Sequence, residues 1–166
     1  NVEALNVNAG QGDDLINVSG VGGSPLTVLG GDPTGLPGHD TVWVNFANVG
    51  TATVDPGATP DAGFIHGPTA AEDVAFEGLE ALQLVGVGDS TLIVYGTTGD
   101  DSITQAGNSV AVNDRAIVGF QNFPTLTLAA LAGDDTISVN PTTLAGVTTL
   151  NVTGGEPTAS DELIVN

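Results

Sequence analysis

The chain has no cysteine, no methionine and almost no base: Arg115 is the one Lys or Arg against twenty acids, for a net charge of −19. Without cysteine there is neither a disulfide nor a thiolate metal site. Without Lys and Arg there is no means of gripping phosphates, so nucleic acid is excluded as a partner and anionic membranes are disfavoured. One arginine also cannot build the basic groove that β-helical enzymes use on acidic polysaccharides. Aromatics are few, at one Trp, one Tyr and five Phe, so a core must be made of Val, Leu, Ile and Ala. No apolar run approaches the roughly 18 residues of a membrane span, and no membrane insertion is expected. The twenty-four Gly and nine Pro interrupt the chain too often for long helices. With Asn at position 1 and no Met, the chain is expected to be a processed or excised piece.

What is present is repetition. LTLAALAGDDTISV (126–139) has the same pattern as LNVNAGQGDDLINV (5–18), and LQLVGVGDSTLIVY (82–95) is a slightly shorter version. Each reads as strand, Gly-Asp turn, strand. GTTGDDSIT (96–104) is a partial fourth copy. Downstream, LTVLGGDPTGLPGHDTVWVN (26–45) reads onto LNVTGGEPTASDELIVN (150–166). We therefore read residues 1–166 as one repeat-built β domain with copies starting near 1, 78 and 122, a window on a longer or repeating array.

Period-2 alternation and β-branched enrichment predict strands near 4–8, 15–19, 26–29, 41–46, 51–54, 74–76, 81–86, 91–95, 102–105, 109–113, 116–120, 125–129, 136–140, 148–152 and 162–165. Residues 55–71 read as a long loop excursion, with a short helical turn as one option for 72–78. Many short strands with Gly-rich turns fit two all-β architectures. One is a β-solenoid, a parallel β-helix-like stack of Gly-Asp-turn repeats, and the repetition favours it. The alternative is a β-sandwich. Gly107-Asn108 and Asn113-Asp114 resemble hairpin turns, so 109–120 reads as a local antiparallel pair.

The turns carry the acids: Asp13, Asp14, Asp100, Asp101, Asp134 and Asp135, with Asp32, Asp40, Glu156 and Asp161 downstream. One Asp per turn is ordinary, because its side chain accepts from nearby backbone amides. Paired Asp with no base beside them point further, to a hard divalent cation held by carboxylate oxygens. Calcium is the expected ion, with plain solvated turns as the alternative. Asn17-Val18-Ser19 and Asn151-Val152-Thr153 match the N-glycosylation pattern. His39 and His66 have no second His or Cys near them in sequence and read as turn and loop residues. There is no Gly-x-Ser-x-Gly elbow, P-loop or His-Glu-x-x-His, so no enzyme is expected.

The turn at 9–17, AGQGDDLIN, resembles the hemolysin-type (repeats-in-toxin) calcium-binding repeat. LTLAALAGDDTISVNP and LNVTGGEPTASDELIV are similar to β-repeat regions of very large secreted surface proteins of planctomycete-type bacteria. The first resemblance implies calcium at the turns, shared between neighbouring turns if stacking brings them into register. The second implies a secreted protein of the cell surface. The expected function is a non-enzymatic structural subunit or segment of an extracellular bacterial filament or surface layer. It would join further copies of itself head to tail, as a homopolymer or a covalent tandem array, through uncapped β ends at Val2, Leu5 and Val7 and at Leu163, Ile164 and Val165. The alternative is a calcium-binding adhesive module of a giant surface protein.

Overall fold

Alternation of one apolar with one polar residue gives each short segment one face to bury, and the segments do so as strands. The computed structural model describes residues 4–19, 26–32, 39–156 and 160–166. In chain order the strands are β1 (Leu5–Gln11), β2 (Leu15–Ser19), β3 (Leu26–Asp32), β4 (Thr41–Asn45), β5 (Thr51–Pro56), β6 (Gly63–His66), β7 (Val74–Glu77) and β8 (Ala81–Val85). They continue as β9 (Thr91–Tyr95), β10 (Ser102–Ala106), β11 (Ser109–Val112), β12 (Ile117–Gln121), β13 (Thr125–Leu131), β14 (Thr136–Val139), β15 (Thr149–Gly155) and β16 (Glu162–Val165). Two 3-10 turns, Ala70–Glu72 and Pro141–Thr143, are the helical segments among the described residues.

The strands form two eight-stranded mixed sheets and no closed barrel, so the chain is all-β as expected. Sheet I runs β1-β3-β7-β6-β5-β9-β13-β15, and sheet II runs β2-β4-β8-β12-β11-β10-β14-β16. Ten of the fourteen pairings are parallel. The four antiparallel ones flank β6 and β11. Taken position by position, the two orders define eight layers, each with one strand from either sheet. In six layers the two strands follow each other along the chain: β1/β2, β3/β4, β7/β8, β9/β10, β13/β14 and β15/β16. The β5-β6-β7 meander fills the middle of sheet I, and β10-β11-β12 fills the middle of sheet II.

Parallel in-register pairing stacks like on like. Within sheet I, Leu92, Leu126 and Leu150 lie over one another, as do Val94, Leu128 and Val152. In sheet II the same holds for Val42 and Leu82, then Val44 and Leu84. These inward residues from both sheets make one aliphatic core. Phe46 and Phe123 meet edge to face inside it, with ring centroids 6.2 Å apart.

Two features depart from the sequence reading. The excursion at 55–71 contains a strand, β6, which pairs antiparallel with both β5 and β7. Its FIH stretch is too short and too closely flanked by Gly and Pro to stand out by period. The 82–95 copy also runs the opposite way. The 5–18 and 126–139 copies pass from sheet I to sheet II, whereas Leu82–Tyr95 passes from β8 in sheet II to β9 in sheet I. The hairpin turns near 107 and 113 are present as read.

The two outer layer pairs repeat each other in fine detail. Gly31 packs so tightly on Gly10 that a Cβ would lie 1.7 Å from the Gly10 carbonyl oxygen, and a Cβ on Gly155 would lie 1.6 Å from that of Leu131. Gly10 and Leu131 both have positive φ, at 104° and 81°.

Leu128 is fully buried in an interior layer, whereas the Leu163 side chain on outer strand β16 is half exposed. Leu128→Ala should destabilise the dilute chain by about 2–5 kcal/mol. Leu163→Ala should cost less than about 1.5 kcal/mol. Urea unfolding of the two variants checks the order.

Candidate functional site

The residue just before each sheet II strand is held in one column by the register. Where sheet I hands the chain to sheet II, that residue is Asp14 before β2, Asp40 before β4, Glu80 before β8, Asp101 before β10, Asp135 before β14 and Asp161 before β16. At the opposite corner the corresponding residues are mostly neutral: Gly50, Ser90, Pro124 and Thr148, with Asp73 as the one acid. The acids are thus gathered on one edge of the stack.

Four of the six carboxylates, those of Asp40, Glu80, Asp135 and Asp161, accept a backbone N–H from the neighbouring layer. The Asp14 N–H donates to Asp40 Oδ1 at 2.8 Å, and the Asp40 N–H to Glu80 Oε2 at 2.7 Å. In the other half the Asp101 N–H donates to Asp135 Oδ1 at 2.8 Å, and the Asp135 N–H to Asp161 Oδ1 at 3.1 Å. Charge-assisted bonds to backbone N–H groups are what allow a carboxylate to be buried at all. Asp40, Asp101 and Asp135 are all buried. Between the two acid runs stand a neutral and a basic residue. Asn113 donates from Nδ2 to Asp101 Oδ1 at 2.5 Å and accepts the Ser102 N–H at 2.8 Å. Arg115 Nη1 donates to the Gly57 and Thr59 carbonyls at 2.9 and 3.1 Å, which pins the β5–β6 connection.

The second oxygens are less well served. Oδ2 of Asp14, Asp40 and Asp135 is buried without a hydrogen-bond partner. Burial pushes the Asp135 carboxyl above the ordinary aspartate range, and the Asp101, Asp161 and Asp100 carboxylates add to the rise, against the Asp101 N–H bond that lowers it.

Of the other acids singled out from the sequence, Asp13, Asp100, Asp134 and Glu156 are exposed at turns. Asp100 Oδ1 accepts the Asp134 N–H at 2.8 Å. Asp32 ends β3. The acids therefore stack in register, but as a one-per-layer ladder. Among the described residues, no three of His, Cys, Asp and Glu converge in a way that could hold a metal ion.

Of the residues expected at open ends, those described lie on the outer strands of the two sheets. Leu5 is on β1 and Leu163, Ile164 and Val165 are on β16, all exposed. Val7 on β1 is half-buried, and Val2 lies outside the described residues. Trp43 faces outward from sheet II, between Asn17 and Gln83. His66 sits 3.8 Å from Asp55 and 3.7 Å from Asp73, all on the meander of sheet I.

Two structural acids were not picked out in advance. Glu80 stands one residue before its strand, as Asp14 and Asp40 do, and that offset was the available signal. Glu72 has no such signal, because its partners come from a distant turn. Its buried carboxylate accepts from Ala47 N–H at 2.6 Å, Asn48 N–H at 3.3 Å, Asn48 Nδ2 at 3.1 Å and Thr69 Oγ1 at 3.0 Å. Burial pushes the Glu72 carboxyl up, but these bonds together outweigh it and leave it below the ordinary glutamate range.

Comparison with known protein families, with curated proteins and with solved structures finds no match to this chain.

The two shifts act with opposite sign on stability. Asp135 favours its protonated form in the fold, so its contribution is full at acid pH and is lost as pH rises through its raised value. Glu72 favours its charged form, so its contribution is present at neutral pH and is lost as pH falls through its lowered value. Asp135→Asn keeps an acceptor for the Asp101 N–H and puts an amide where Oδ2 has no partner. It should leave the chain at least as stable at neutral pH and flatten the acid side of the pH–stability profile. Glu72→Gln should be destabilising at neutral pH. Denaturant titrations across pH in the presence of a chelator test both.

Proposed function

We propose that this chain is a non-enzymatic structural unit of an extracellular bacterial filament or surface layer. In this reading the fold is a β-solenoid, in which coils pass from one sheet to the other and stack, and units continue one another along the stack. The observation that carries it is the pair of open ends. β1 and β2 form one outer layer and β15 and β16 the other, and among the described residues each of these strands is paired on one side only. Inward apolar side chains at both ends stay exposed, notably Leu5 at one and Leu163 and Val165 at the other. Unpaired strand edges over half a core invite a further layer. The two ends differ, so contact between them is heterologous and propagates.

Self-association is also the partner class left by the charge, since nucleic acid is excluded by its sign. Calcium enters this reading as a counter-ion along the acidic edge, easing repulsion between stacked carboxylates of neighbouring units rather than filling a cage. A secreted, surface-exposed setting, where calcium is plentiful, suits that role.

Negative-stain electron microscopy of concentrated protein, with calcium and with a chelator, tests the proposal. Filaments that shorten or fall apart on chelation are the expected result, and Leu163→Asp with Val165→Asp should abolish them. A chain that stays monomeric at high concentration with calcium present would overturn self-assembly and favour an adhesive module instead.

A further inference from the structure

We infer that the surface each open end fits is a further copy of this chain's own middle layers, in a tandem array with a period of 121 residues. The inference rests on the structural reading above and specifies its joint. Leu5 to Val18 matches Leu126 to Val139 at a constant offset of 121, and Asp40 to Asn45 matches Asp161 to Asn166 at the same offset. The structure repeats with the sequence. The Asp14 N–H bond to Asp40 Oδ1 recurs as the Asp135 N–H bond to Asp161 Oδ1. The Thr41 N–H bond to the Asp14 carbonyl, 2.9 Å, recurs from Glu162 to Asp135 at 2.7 Å. Layers β1/β2 and β3/β4 are therefore equivalent to β13/β14 and β15/β16.

That equivalence identifies what each end lacks. Val42 and Val44 of β4 are 0% and 1% exposed because β8 covers them, whereas their counterparts Leu163 and Val165 are 54% and 65% exposed. Leu126 of β13 is 0% exposed under β9, whereas its counterpart Leu5 is 49% exposed. The layer that completes β15/β16 is thus a β7/β8 layer, with a Glu80 carboxylate to receive the Asp161 N–H as it receives that of Asp40. The layer that completes β1/β2 is a β9/β10 layer. What each end lacks is thus a copy of a middle layer.

Each period adds six layers, which at a strand spacing of about 4.8 Å is a rise of about 29 Å. Units of eight layers docked end to end would instead repeat at about 38 Å.

The test is an extended chain, residues 1–166 followed directly by a second copy of 46–166, compared with the original by small-angle scattering, limited proteolysis and thermal unfolding. We expect one protease-resistant rod of fourteen layers, about 67 Å long against about 38 Å. Leu163→Asp, which lies at an end in the original, becomes interior in the extended chain. It should lower the unfolding midpoint there by about 5 °C or more and hardly at all in the original. An added segment that is digested or forms a separate body, or a Leu163→Asp effect equal in both chains, would overturn the inference. So would filaments of the original chain repeating at 38 Å, which would leave the proposed function standing. An original chain that never associates, beside an extended chain that forms one rod, would uphold the tandem joint and remove self-docking of free units.

Discussion

Parallel pairing in register is the constraint on which the rest of this structure depends. It sets each residue over its counterpart in the next layer, about 4.8 Å away. For the inward leucines and valines this is favourable, since a column of like aliphatic side chains packs without gaps. For the acids it is unfavourable, since the same rule brings carboxylate over carboxylate. The chain resolves the conflict with its own backbone. All six acids of the column stand one residue before a strand, and at Asp40, Glu80, Asp135 and Asp161 an adjacent layer presents an N–H in the right direction. The acid column is therefore a register device as well as a charge. A slip of one residue would lose these bonds and turn the aliphatic columns outward.

The same constraint explains what the sequence revealed and what it concealed. Most strands were legible because two inward residues per strand leave a clear period, as in TVWVN with Val42 and Val44 inside. β6 was not legible, because FIH carries one buried residue between Gly63 and Pro68 and depends on pairing with β5 and β7. The Gly-Asp turns were legible as repeats, yet their direction was not. LQLVGVGDSTLIVY resembles the other copies in pattern but serves the opposite corner, where Ser90 takes the place of the second Asp. Ser90 Oγ accepts the Gly50 N–H at 3.3 Å and donates to the Val87 carbonyl at 2.6 Å. A hydroxyl there performs the bonding of a carboxylate without its charge. That substitution keeps the position before β9 neutral, in contrast to the acid before each of β2, β4, β8, β10, β14 and β16.

The candidate site shows the same division. That the second Asp of each pair matters could be read from the pairing itself. That its neighbours in space are other acids could not, because Asp14 to Asp40 and Asp101 to Asp135 are joined only by the stacking of layers. Arg115, the sole Lys or Arg, binds the carbonyls of Gly57 and Thr59, so it steadies the β5–β6 connection and leaves the column's charge uncompensated.

The two meanders occupy the middle of the two sheets. β5-β6-β7 and β10-β11-β12 each fold back twice, so strands distant in sequence become neighbours and the middle layers are bound from both sides. Among the described residues the layers toward either end, β1/β2 with β3/β4 and β13/β14 with β15/β16, contain no such fold-back; β1/β2 and β15/β16 are paired on one side, and the two sets correspond position by position at the acids and the aliphatic columns. A layer of that kind is stable in proportion to what covers it. Leu126 and Val42 are covered, Leu5 and Leu163 are not, and the difference between them is position in the stack rather than chemistry.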